Sequence, residues 1–264
     1  MRQRDGEFGL TLGMACKSES SEVPRASVAE IDGVPMIVRV AQQASMSGAS
    51  EVVVATDDAR IVDVVAQAGF AAELTRDDHP SGSDRVMEVA SLRGWRSDDI
   101  IINVQGDEPL IPPAVIKQVA SSLSADASLA AATLCEPINQ RNQVFDANSV
   151  KVVCRDDGRA LYFSRAPVPY ARDSFTDGAA ALPDTGQWWR HIGIYAYRLW
   201  ALENFVALPP GRLEQLESLE QLRLLENGME IRVDEACQPV PGGVDTPEDL
   251  QRVRELVTQQ LAPT

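Results

Sequence analysis

The sequence predicts an α/β protein built on an open, mostly parallel sheet flanked by helices. Three observations carry that reading. Short β-branched runs alternate with helical periodicity through residues 1–130, and strand–helix alternation of this kind covers a parallel sheet on both faces. The composition is 44% hydrophobic and 24% charged but only 5% aromatic, so the core of this soluble globular type comes mainly from Val, Ile, Leu and Ala. No apolar run reaches the roughly 18 residues that would span a bilayer.

Taken in order, Met36-Ile-Val-Arg-Val-Ala opens a helix after Asp32-Gly33 and Pro35. Glu51–Thr56 is a buried strand that ends in Asp57-Asp58. Apolar residues recur at helical spacing over 61–68 and 85–92. Ile100–Val104 is a second buried strand, and it runs into Gln105-Gly-Asp-Glu-Pro109. Open parallel sheets bind ligands beyond the carboxyl ends of their strands. Thr56–Asp58 and Gln105–Pro109 both belong there.

The second half has another rhythm. Residues 150–154 and 160–163 form a hairpin around Asp156-Asp157-Gly158. Residues 173–187, rich in Ala, Asp, Gly, Thr and Pro, read as a surface loop. Ile192–Tyr197 alternates as a strand. Leu213–Leu225 reads as one helix stopped by Gly228. Thr246 caps a final helix, with Pro247 at its first position and acids in its first turn. Repeats and low-complexity linkers are absent from the sequence. Residues 1–264 therefore read as a single domain whose two portions, 1–135 and 136–264, share one continuous sheet.

Charge narrows the function. The formal net charge is −15, which argues against non-specific nucleic-acid binding and polybasic membrane attachment. Cys16, Cys135, Cys154 and Cys237 form no C-x-x-C pair, and they read as reduced thiols. The N-terminus is charged without a following apolar stretch, so a cytoplasmic address is expected.

Several segments carry chemistry. Gly106 lets backbone approach a ligand, and Asp107 stands where a strand-end carboxylate can hold a divalent cation. An ordinary acidic turn explains Asp107 as well. Asp245, in Gly242-Gly-Val-Asp-Thr-Pro247, is the second candidate ligand or else a helix-start carboxylate. Ser81-Gly82-Ser83 reads first as a capping loop, and second as a phosphate or base contact. Arg165 follows a strand, while Arg190 and His191 precede one; arginine suits a carboxylate ligand. Glu217, Glu220 and Gln221 fall on one face of the expected helix.

These residues resemble a known family. The motifs AEIDGVPMIVRV, ATDD, LTRDDHPSGSDR, NVQGDEPLIPP, ALYFSRAPVPY, RHIGIYAYR, LEQLESLEQLRLLENG and GVDTPEDLQRV are similar to those of the CMP-Kdo synthetases (3-deoxy-D-manno-octulosonate cytidylyltransferases), in order and spacing, from about Val28 onward. The resemblance implies a nucleotide-diphospho-sugar transferase fold with a mixed-sheet portion for sugar binding and dimerisation. It implies a homodimer that transfers CMP from CTP to a 2-keto sugar acid for lipopolysaccharide synthesis. It places Mg2+ on Asp107 and Asp245. It puts Arg76, Ser81, Gly82, Ser83 and Gln105 on the nucleotide side, and Arg165, His191, Tyr195, Glu217 and Gln221 around the sugar acid.

One segment departs from the family. A loop of the form P-A-R-x-x-S-x-R-x-P-x-K surrounds the triphosphate there. Here Lys17 stands for the first arginine and is the remaining catalytic cation. Glu22 replaces the second arginine and Ala26 the lysine, while Ser20, Pro24 and Arg25 keep the outline. A carboxylate beside a triphosphate implies a weaker grip on CTP. Three expectations follow: a cytidylyltransferase of full or reduced activity, favoured by the intact metal and sugar motifs, a paralogue that binds without turnover, or a different donor or reaction on the same scaffold.

Overall fold

The structure is a computed structural model that describes residues 10–16, 26–175, 181–184 and 186–261. Its centre is one sheet. Strands β1 (Leu10–Cys16), β4 (Glu51–Thr56), β5 (Ala71–Leu74), β6 (Ile100–Gln105), β7 (Ala131–Ile138), β10 (Trp188–Arg198) and β11 (Ile231–Glu235) lie in the order β11-β7-β10-β6-β1-β4-β5. Every neighbouring pair is parallel except the two that involve β10, which enters antiparallel between β6 and β7. Strands β8 (Lys151–Cys154) and β9 (Ala160–Ser164) form the expected hairpin, with Gly158 at φ +79° in its turn, and β8 also pairs with β10. The two halves therefore share one sheet, as expected.

Helices cover both faces. On one side α1 (Met36–Met46), α2 (Ala59–Gln67) and α4 (Pro113–Ser124) pack Ile37, Val40, Ala41, Val65, Val115 and Val119 against Val54, Ile102 and Val104. On the other, α3 (Gly82–Arg93) and α6 (Leu199–Ala207) join the hairpin over Ile101, Ala131 and Tyr197. The buried residues of the first of these layers are all aliphatic, while the second gathers Phe163, Tyr195, Tyr197 and Phe205 as well. Short strands β2 (Glu30–Ile31) and β3 (Val34–Pro35) turn through Asp32 and Gly33, both at positive φ, and Asp-Gly is the pair that favours such a turn. The last helix, α9 (Pro247–Leu261), packs Leu250, Val253 and Val257 against Ile31 and Met36. Its start matches the sequence reading: Thr246 and Asp249 exchange hydrogen bonds across the first turn.

Two expectations need correction. The helix expected over Leu213–Leu225 is two: α7 (Arg212–Glu217) and α8 (Leu222–Glu226), separated by Ser218 at φ +51°. The Glu217 carboxylate is drawn to the end of β9, while Leu219 is buried; tertiary contacts override a helical propensity that is worth only tenths of a kcal/mol per residue. The loop at 173–187 is not wholly at the surface. Phe175 is buried and packs with Val144, Ile138 and Trp188 above the short helix α5 (Arg141–Phe145). Arg141 stacks on Phe145 and Phe175 and donates to the Ser174 and Phe175 carbonyls.

Candidate active site

The parallel strands end on one side, and the candidate residues gather there. Beyond β6, the Asp107 carbonyl accepts the Val244 N–H at 2.9 Å, which draws residues 242–245 alongside the Gly106–Asp107 turn. A Cβ at Gly243 would stand 3.3 Å from the Asp107 carbonyl oxygen, so glycine suits this close approach. Burial, and then the neighbouring Asp245, push Asp107 up to about 6. Burial and Asp107 push Glu108 up to about 7, with Arg190 opposing. One Glu108 carboxylate oxygen is buried with no hydrogen-bond partner, and Arg190 is already engaged by Glu136 at 2.8 Å. Crowded carboxylates with an orphaned oxygen fit a hard divalent cation. Among the described residues no group of three His, Cys, Asp or Glu side chains could hold an ion by itself. The corner therefore suits a cation that completes its shell with water and substrate phosphates, as Mg2+ does.

The Ser81-Gly82-Ser83 segment starts α3. Ser81 is its N-cap, accepting the Asp84 N–H; the capping role is present. Ser83 does something else. Its hydroxyl donates to Glu220 at 2.9 Å, tying this loop to the α7–α8 segment 137 residues later. Arg85, one turn before Val89 on the buried stripe, is 1% exposed; it donates to Asp57 at 2.7 Å and to Thr75 at 2.6 Å. Arg76 is fixed through its main-chain N–H by Glu88, which also contacts His79, while the Arg76 side chain is two-thirds exposed. Gln105 ends β6 beside β1. Lys17, Ser20, Glu22 and Arg25 lie outside the described residues, and Ala26 begins a short 3-10 helix.

The residues expected around the sugar acid lie on β10 and at the end of β9. Gly193 separates His191 from Tyr195, and the pairing with β7 slips between Ile192 and Tyr195. Thr133 sits in this irregularity, its hydroxyl 3.0 and 2.8 Å from the Ile192 and Ile194 carbonyls and 3.1 Å from His191 Nε2. Burial, helped by Arg190, pushes His191 down to about 3, so the ring is neutral at physiological pH. The His191 and Tyr195 rings are 5.3 Å apart. The Tyr195 hydroxyl is buried beside Thr133 without a well-formed hydrogen bond. Glu217 accepts the Ser164 hydroxyl at 2.7 Å and the Arg165 N–H at 2.9 Å. Gln221 is buried. Glu220 belongs with these groups although the resemblance did not assign it. Burial raises it despite its bond to Ser83, and its spacing from Glu217 was the visible signal.

A parallel sheet with one late antiparallel strand, ending over a carboxylate corner, is the architecture of nucleotidyl transferases. A nucleotidyl transferase from Methanothermobacter thermautotrophicus superimposes with a TM-score of 0.59 at 15% identity, over 97% of this chain and 99% of that one, which establishes the fold. The family model described as Cytidylyltransferase matches residues 17–231. A structure of CMP:2-keto-3-deoxy-manno-octonic acid synthetase, complexed with CTP, matches with a TM-score of 0.87 and 40% identity over 96% of this chain and 99% of that one. The 3-deoxy-manno-octulosonate cytidylyltransferase of Alcanivorax borkumensis is 54% identical over 89% of this chain and 93% of its own length. That of Pseudomonas syringae is 51% identical over 94% and 98%. The chain belongs to the 3-deoxy-manno-octulosonate cytidylyltransferase family.

Proposed function

We propose that the protein transfers CMP from CTP to the anomeric hydroxyl of Kdo, releasing pyrophosphate. The observation that carries this is the pairing of Asp107, at the end of β6, with Asp245 close enough to raise it, in a chain of this family. Asp107 and Asp245 would hold Mg2+. Bound there, the ion lowers repulsion between the attacking oxygen and the α-phosphate and orients both. The α3 start and Gln105 line the nucleotide side, with Glu220 holding Ser83 in place. Neutral His191, the Tyr195 hydroxyl and Gln221 face the sugar hydroxyls, and Arg165 the sugar carboxylate. Positioning and charge neutralisation are what this class of transfer chiefly requires. Residues 1–135 form the nucleotide portion and 136–264 the sugar and dimerisation portion of one domain.

The homodimer, the cytoplasmic address and the role in lipopolysaccharide synthesis rest on the resemblance. Three described features are compatible with them. Leu161 and Tyr170 are exposed apolar side chains in the second portion. No described helix is long and apolar enough to cross a membrane. Cys135, Cys154 and Cys237 are free. Curated relatives above 50% identity that are named as the enzyme favour turnover over the binding-only paralogue. Pyrophosphate release from CTP, Kdo and Mg2+ tests the reading. No release at high enzyme concentration, with sugar binding intact by calorimetry, leaves the paralogue standing.

The carboxylate corner adds a pH dependence. Asp107 and Glu108, raised to about 6 and about 7, hold protons below those values, and a cation must displace them. Mg2+ affinity is expected to rise from pH 5.5 to 7.5 with proton release, measured by calorimetry in buffers of different ionisation enthalpy. The sign for stability is opposite. Groups raised on folding stabilise most at low pH, so the metal-free protein loses stability as pH rises through 6 to 7. Mg2+ is expected to offset that loss in thermal melts. A pH-independent affinity counts against the assignment.

A further inference from the structure

Only three of the 24 basic side chains are lysines: Lys17, Lys117 and Lys151. Lys151, the first residue of β8, is completely buried. Its ammonium donates at 2.7 Å to two main-chain carbonyls, those of Asp146 and Arg165. A buried charge whose hydrogen bonds go to carbonyls rather than to a carboxylate is costly, and an apolar side chain would pack there at less expense. What the charge supports is visible in the neighbouring bonds.

Arg165 is gripped on both sides. Lys151 takes its carbonyl, and Glu217 takes its N–H at 2.9 Å. The Arg165 guanidinium spans the same frame, donating to the Glu217 carbonyl at 2.6 Å, the Ala147 carbonyl at 2.9 Å and the Ser218 carbonyl at 3.4 Å, which leaves one N–H on each terminal nitrogen. Ala147 follows Asp146, the other Lys151 acceptor. The ammonium thus draws two carbonyls, whose dipoles would otherwise repel, to one point between the 146–147 loop and the end of β9. Burial pushes Lys151 below the usual lysine range, and the Arg165 charge adds to that, while the Asp146 and then the Glu217 carboxylates act favourably on it through space. The Lys151 and Glu217 charges thus hold the Arg165 main chain from opposite sides.

We propose that Lys151 is a positioning residue for the sugar-acid subsite, fixing Arg165 so that its remaining N–H groups meet the substrate carboxylate. This rests on the proposed function, because it takes Arg165 as the carboxylate contact. Lys151 itself touches no substrate.

The test is Lys151→Met in the full-length protein. KM and calorimetric Kd for Kdo are expected to rise about tenfold or more. KM for CTP and kcat at saturating substrates stay within about twofold, the pattern of lost ground-state binding. A general structural defect would change both KM values and kcat. An unchanged Kd for Kdo in a folded Lys151→Met protein overturns the inference. Unmutated protein that binds no Kdo overturns the functional reading instead. Should Lys151→Met fail to fold, 15N-lysine labelling of the unmutated protein decides. With three lysines the spectrum is sparse, and the exchange-protected Lys151 ammonium resonance is expected to shift with Kdo and not with CTP. No shift at saturating Kdo overturns the inference.

Discussion

Replacing Asp107 with Asn is expected to lower CMP transfer by about 10²- to 10³-fold, the usual scale for losing one pre-positioned charge-stabilising group. Asn keeps the size and the Val244 contact, which uses the main chain, but removes the charge that would hold the cation. Excess Mg2+ should recover only part of the rate. The same change should stabilise the metal-free protein, because Asp107 is one of the groups that raises Glu108. Falling activity with rising stability is hard to obtain from damage to the fold. Near-normal turnover with unchanged Mg2+ dependence would remove Asp107 from the site.

The largest stability effect is expected at Arg85. Arg85→Met should cost about 3–5 kcal/mol, the range for breaking a buried ion pair by deleting one partner. Arg85 and Asp57 side chains are 1% and 10% exposed. Each already carries one buried polar atom without a hydrogen bond, Nε and Oδ1 respectively. Removing the guanidinium therefore strands the Asp57 carboxylate. Pairing Arg85→Met with Asp57→Leu should return much of the loss, since apolar replacements of buried pairs are often neutral. Urea denaturation with an unchanged m-value measures both. A loss below about 1 kcal/mol for Arg85→Met would place this pair with surface ion pairs.

Much of this was legible from residues alone. The buried runs at Glu51–Thr56 and Ile100–Val104 have no competing helical period, and both are strands where expected, the second one residue longer. Thr246 and Pro247 fixed the start of α9 because capping is local chemistry. Asp107 could be placed at a strand end and Asp245 just before a helix, but their closeness depends on the Val244–Asp107 hydrogen bond across more than 130 residues. The break in Leu213–Leu225 was illegible for a similar reason. Its periodicity is helical throughout, whereas the bonds that Ser164 and Arg165 make to Glu217 beside left-handed Ser218 come from residues distant in sequence. Lys151 looked like any strand residue, since alternation says which face a side chain takes and not what waits there. Arg85 could have been noticed: it lies four residues before buried Val89 and so shares its face.

The antiparallel entry of β10 between β6 and β7 has a consequence for how the chain is made. Residues 100–105 and 131–138 cannot be joined until residues 188–198 have been synthesised. A ribosome that has released only the first portion holds a sheet with a gap at its centre, and closing that gap means a long loop must return. Contacts so distant in sequence slow folding and leave strand edges exposed meanwhile. The two portions are thus not cassettes. A recombinant exchanging one of them for a relative's would have to match β10 on both flanks at once, and truncation before residue 198 should yield aggregate rather than a smaller nucleotide binder.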